Sequence, residues 1–164
     1  MTHTLPQVGH EHHERIQHVV NQMPEIGDLL LSGTAAEITP RIDELGAFLT
    51  GTLLPHVDAA EAALYPELER MMQNRHSMAP MKREHEEVWR LVGEFESLRP
   101  GVTGGRVTVG RAIAMRRVMY QLYALLKMHL AEEEMYLRMI EKGVPTDVAD
   151  ALAAAMEHPA AAVP

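Results

Sequence analysis

Cysteine is absent from the 164-residue chain, which excludes disulfides, thiolate metal sites and cysteine nucleophiles. Aromatic residues make up only 4% of it while Met alone occurs 12 times, a balance that favours helices over sheets. Positive charge is in the minority. The formal net charge of −8 argues against a nucleic-acid partner, because phosphate binding needs a basic surface. No apolar run approaches the ~18 residues that would cross a bilayer, so no membrane partner is expected. The opening MTHTLPQVGHEHHE is polar and holds no apolar leader core, from which a cytoplasmic location is expected. No GxxxxGK[ST] loop is present, so nucleotide binding has no support. The length suits one domain with a real core.

Helical signals cover most of the chain. A first helix is expected from Thr4-Leu5-Pro6 or Gly9 to Leu31, with Pro24 as a possible kink and Ser32-Gly33-Thr34 as its end. The second starts either at Thr34, which forms a capping box with Glu37, or at Thr39 before Pro40. It continues to about Gln73, with bends expected at Pro55 and Pro66. Ser77 is expected to cap a third helix ending at Arg99-Pro100-Gly101, followed by a Gly-rich loop from Val102 to Gly105. A fourth runs from about Arg106 to Lys142, with Gly143 as a left-handed stop. Thr146 caps a short fifth helix, Asp147 to Glu157, and the tail HPAAAVP is expected to fray. The fold expected is all-α: an up-down-up-down four-helix bundle over residues 5–142, then a short fifth C-terminal helix and tail over 143–164.

Four histidines then form two matched pairs. His13 is followed by Ile16, Val19, Val20 and Met23, and His85 by Val88, Leu91, Val92 and Phe95 at the same offsets. His56 and His129 are each followed by a Glu at offset 5 (Glu61, Glu134) and a Leu at offset 8 (Leu64, Leu137). The separations agree, at 72 residues for the first pair and 73 for the second. A helical hairpin with two inward histidines thus occurs twice, which is how a metal centre inside a four-helix bundle reads in one dimension. His129 and Glu133, four residues apart, share a helix face. Leu122, Leu125, Leu126, Tyr136, Leu137 and Ile140 make that face apolar. A buried ionised Glu is costly unless paired or bound to a cation, and imidazole with carboxylate suits iron, manganese or zinc. A lone His on an apolar face is more often a satisfied core residue; one per helix, paired by internal similarity, points to ligands.

Other readings of these residues fail on spacing. HERIQH, from His13 to His18, has one residue too many for a zincin HExxH, and paired Glu-x-x-His motifs are absent. On the first helix His10, His12, His13 and His18 compete as ligands, and His13 is preferred because its downstream pattern matches that of His85.

With His13, His56 followed by Leu64-Tyr65-Pro66, Glu84-His85, and His129-Leu-Ala-Glu-Glu133-Glu on four successive helices, residues 5 to 142 resemble a hemerythrin-like (HHE cation-binding) domain. The resemblance implies a non-haem di-iron centre, with histidines as terminal ligands and carboxylates of the second and fourth helices as bridges. His13, His56, His85, His129 and Glu133 occupy ligand positions. One position departs: the family's second-helix carboxylate lies four residues after its His, where this chain has Ala60. Either a local bulge near Pro55 swings Glu61 into the site, or the second bridge is missing. Asp58 faces away, and a tyrosine is a further substitute, though the sequence nominates none. Two irons per chain are therefore expected, with one metal as the alternative. Met81, where some hemerythrins carry a histidine, reads as pocket lining.

A histidine-rich centre among Leu, Met and Ala has few proton donors, and hydrolytic metal sites need a base beside a bound water. The expected function is binding of O2 or another small diatomic, or sensing of O2, NO or iron. Turnover of peroxide or NO at the same centre is the enzymatic alternative, and a helical interaction module with a degenerate site is the third. Sensing would call for a separate protein partner. The fifth helix is a candidate contact surface, or a lid on the bundle end.

Overall fold

In a computed structural model, which describes residues 5–104 and 107–157 (and side chains from residue 12 on, except 153 and 157), the chain is all-α, with no strand among the described residues. Helix α1 spans Leu5–Ser32, continuous through Pro24. A second long rod follows as α2 (Ala35–Phe48), a π turn (Leu49–Leu53), α3 (Leu54–Ala59), a second π turn (Ala60–Leu64) and α4 (Tyr65–Met71). Then come α5 (Ala79–Thr103), α6 (Val109–Gly143) and α7 (Thr146–Glu157). Among the described residues no helix is long and apolar enough to cross a membrane.

The helices neighbour each other in a ring, α1 on α2, α2 on α5, α5 on α6 and α6 on α1. Cross-helix polar pairs fix the directions. Asp28 meets Arg116 and Asn21 meets Lys127, so α1 and α6 are antiparallel. Asp43 with Arg99 and Glu69 with Lys82 set the second rod antiparallel to α5. The bundle is therefore up-down-up-down, as the short connections require.

Thr34 is the N-cap of the second rod. The Glu37 carboxylate accepts from its amide at 2.8 Å and from its hydroxyl at 2.7 Å, which decides between the two expected starts. The bends expected at Pro55 and Pro66 take the form of the π turns just upstream of each. Leu54 and Tyr65 donate their amides to carbonyls five residues back, at Leu49 and Ala60. Proline clashes with the carbonyl four residues before it, and widening the preceding turn relieves that clash without ending the helix. The rod closes at Met71, with Gln73 at φ 52 in the left-handed region.

Four boundaries differ from expectation. Met78, not Ser77, is the N-cap of α5, and Ser77 Oγ is buried without a partner. Helix α5 runs on through Pro100 to Thr103, because Val102 packs fully into the core and the Thr103 hydroxyl donates to the Arg99 carbonyl. Helix α6 begins at Val109, where the Thr108 hydroxyl accepts from the Arg111 amide; the expected start at Arg106, with Gly105, lies outside the described residues. Gly143 is the last helical residue rather than a left-handed stop. Val144 is extended before Pro145, as a residue preceding proline prefers. A Cβ on Gly143 would sit 2.3 Å from Met71 Cε, so glycine lets these two segments touch. The expected frayed tail, residues 158–164, lies outside the described residues.

The apolar interior falls into two clusters. The larger fills the bundle from Ile16 and Leu130 toward the α5–α6 connection. The smaller lies at the other end, where α7 delivers Ala149 and Met156 against Ala60, Leu64, Leu68 and Ile140. Helix α7 thus covers that end of the bundle, packing on α1, α3 and the second π turn. A layer of buried polar side chains separates the clusters.

Candidate metal centre

That layer consists of His12, His13, His56, His85, His129 and Glu133, each at most 9% exposed. Each pair of helices contributes from one level: α1 gives His12 and His13, α3 gives His56, α5 gives His85, and α6 gives His129 and Glu133. The one-turn spacing of His129 and Glu133 points both inward, as expected from their shared face.

Glu133 is the hub. Its Oε2 lies 2.9 Å from His56 Nε2 and 3.1 Å from His13 Nε2, the latter outside good hydrogen-bond alignment. Its Oε1 accepts from the Tyr65 hydroxyl at 3.1 Å. On the far side, Tyr65 Oη is 3.0 Å from His85 Nε2, which is 3.1 Å from His129 Nε2. Two donor triads result, His13–His56–Glu133 and His85–His129–Glu133, each with its ligand atoms within 4.8 Å of one another. Two donors held ~2.1 Å from one ion and at right angles are themselves ~3.0 Å apart, so separations near 3 Å suit a shared cation.

The imidazole tautomers strengthen this fit. His85 Nδ1 is 2.8 Å from Glu61 Oε1 and His129 Nδ1 is 2.9 Å from Glu84 Oε2. An ionised carboxylate only accepts, so both Nδ1 atoms carry the hydrogen. With a hydrogen on each Nδ1, neutral rings would face each other at 3.1 Å through two Nε2 lone pairs. That arrangement is unfavourable until a cation sits against both. Carboxylates behind ligating histidines orient rings in this way.

Protonation follows from burial and neighbours. Burial, then the adjacent His129, pushes His85 down to about 3, so the ring is neutral at physiological pH. Burial, followed by His56 and His13, lowers His12 to about 4. Burial disfavours a charged His13, but its contact with Glu133 outweighs that and raises its pKa. Burial likewise opposes ionisation of Glu133, yet His56 and His13 hold its carboxyl well below the usual range. Burial and the Glu133 charge raise the Tyr65 phenol, which stays protonated without a cation.

Five of the sequence-derived ligand positions, His13, His56, His85, His129 and Glu133, therefore meet in one layer. Glu61 stands elsewhere: the π turns bring it to the outer nitrogen of His85, its side chain is 41% exposed, and it belongs to neither triad. His12 is buried as well, its ring centroid 5.1 Å from that of His56, and Arg15 lies 3.4 Å from its Nδ1. His18 is exposed and pairs with Gln22, Asp58 is exposed, and the side chain of His10 lies outside the described ones. Met81 is buried in the smaller apolar cluster. Sequence reasoning missed two residues. Glu84 neighbours His85 in sequence but serves His129 across the bundle, which no local pattern reveals. Tyr65 was visible only within the Leu64-Tyr65-Pro66 motif.

The family model of the hemerythrin HHE cation binding domain matches residues 7–140, and the chain belongs to that family. No curated protein and no solved structure matches it. Fold, family and the two buried His/Glu triads together define a hemerythrin-like metal-binding protein.

Proposed function

We propose that the protein is a non-haem di-iron protein, one iron in each triad, that binds O2 or senses a small diatomic such as O2 or NO. One observation carries this reading: two buried donor triads share a single carboxylate, Glu133. Imidazole and carboxylate suit iron, manganese and zinc alike, and the family resemblance favours iron. Iron supplies the redox chemistry by which O2 is held. The protein supplies the donors and an enclosure of Leu, Ile and Met that keeps bulk water away from them. The His13–His56–Glu133 triad brings three protein donors, which leaves room at an ion for a small ligand. A cytoplasmic setting belongs to this proposal, and sensing would need a protein partner.

A second reading, turnover of peroxide or NO, is favoured by the groove of about 400 Å³ beside His13. There His13 Nδ1 lies 3.6 Å from Glu134, which places a carboxylate of the groove next to the layer. Iron analysis with oxygenation of the anaerobic ferrous protein tests both. Two irons per chain and a colour change that reverses on removing O2 are expected. One iron or none refutes the di-iron proposal, and steady O2 release from added peroxide moves the assignment to the enzymatic reading.

A further inference from the structure

One side chain of the smaller apolar cluster carries a polar atom into the layer. Tyr65 is wholly buried, and its hydroxyl lies between the two triads, 3.0 Å from His85 Nε2 and 3.1 Å from Glu133 Oε1. Its ring stacks on His85 with centroids 5.2 Å apart and planes at 17°. We infer that Tyr65 is a fourth protein donor to the His85–His129–Glu133 subsite, a phenolate oxygen in place of the second-helix carboxylate that Ala60 lacks. The inference rests on the metal-centre reading above.

Backbone geometry brings it there. In an unbroken helix a residue nine positions after His56 lies ~180° round, on the opposite face. The π turn Ala60–Leu64 takes up one extra residue, which returns Tyr65 to within ~80° of His56. Ala60 is fully buried and offers no polar atom. The hydroxyl oxygen is thus the atom that this rod sends into the second triad.

The count of hydrogens points the same way. With both Nδ1 hydrogens given to Glu61 and Glu84, three electron-rich atoms converge on Tyr65: His85 Nε2, His129 Nε2 beyond it, and Glu133 Oε1. One phenolic hydrogen cannot serve them. A cation at this point satisfies all of them and displaces the phenolic proton, as any ligand that must deprotonate releases its proton on metal binding. Two imidazoles with two anionic oxygens favour a hard, highly charged ion there, whereas the other subsite has Glu133 alone for its charge.

The test uses the full chain loaded with ferric iron. A visible phenolate-to-iron(III) charge-transfer band is expected, with tyrosine ring modes enhanced in resonance Raman on exciting into it. Tyr65→Phe should abolish band and modes and lower retained iron from two toward one per chain, while Tyr123→Phe changes neither. The wild-type Raman measurement decides the matter even if the variant folds poorly. Bound iron without tyrosine modes, or a Tyr65→Phe variant that keeps them, overturns the inference alone. A wild-type chain that retains no iron overturns both it and the reading on which it rests.

Discussion

Glu61 and Glu84 reach their histidines on the side away from the metal-binding nitrogens, and the two should differ in effect by a calculable amount. Each accepts from an Nδ1 at a charge-assisted distance, 2.8 Å for Glu61 and 2.9 Å for Glu84. Removing an outer partner of a ligating histidine typically costs 10- to 100-fold in metal affinity, about 1.4–2.8 kcal/mol. Solvent exposure separates the two carboxylates. The Glu61 side chain is 41% exposed and that of Glu84 only 23%, and water screens the more open pair. Glu61→Ala is therefore expected near the 10-fold end and Glu84→Ala toward 100-fold. In both variants the chain still takes up its full metal complement when metal is in excess. Glu61→Gln should recover most of the loss, since its amide oxygen still accepts from Nδ1. Competition titration against a chromophoric chelator reads both affinity and stoichiometry. Loss of one ion from Glu61→Ala at saturating metal would make Glu61 a direct ligand and refute the reasoning. So would an unchanged affinity in Glu84→Ala.

Neighbouring histidines of α1 give the second contrast. His13→Ala removes a donor 3.1 Å from Glu133 and is expected to cost one ion per chain by elemental analysis, while His12→Ala, outside both triads, keeps both; the reverse pattern would exchange their roles. Acid gives the third. The folded pKa values of His85 and His12 are lowered to about 3 and about 4, so between those values and the unfolded 6.5 the unfolded chain binds more protons and stability falls as pH falls. His13 is raised and acts oppositely, its contribution being present below 6.5 and lost as pH rises through its folded value. With two depressed rings against one raised, the urea midpoint of the metal-free protein should be lower at pH 4.5 than at pH 7; a higher midpoint in acid would contradict the burial argument.

What the sequence revealed depended on helical regularity. His13, His85, His129 and Glu133 sit on uninterrupted helices, where an offset translates directly into a face, and their inward placement was legible from spacing alone. The second rod breaks that rule twice. Pro55 and Pro66 announced irregularity, but not that each would be absorbed by a π turn. Counting 100° per residue past Ala60 therefore left Glu61 undecided between bridge and flank, and it nominated no tyrosine. Glu84 was illegible for another reason. Its neighbour in sequence is His85, yet its partner is His129, 45 positions away, and only the antiparallel packing of α5 on α6 brings them together. The end of α5 was similarly tertiary, since burial of Val102 outweighed the stop signal of Pro100-Gly101.

Internal repetition in the sequence suggests two equal half-sites, but the structure makes them unequal. At His85 and His129 both outer nitrogens are held by carboxylates, which orients both Nε2 atoms toward one point before any ion arrives. At His13 and His56 the corresponding atoms are less constrained. His13 Nδ1 lies 3.6 Å from Glu134, and His56 Nδ1 is buried without a partner. There Glu133 Oε2 already lies against both rings, whereas at the His85–His129 subsite the one hydrogen to be displaced is the phenolic proton of Tyr65. Preorganisation lowers the cost of binding. The Ala60 substitution therefore weakens neither triad directly. A chain given one equivalent of iron is therefore expected to hold it between His85 and His129, with the His13 side filling second; retention of that equivalent by His13→Ala but not by His129→Ala, read by elemental analysis, checks it.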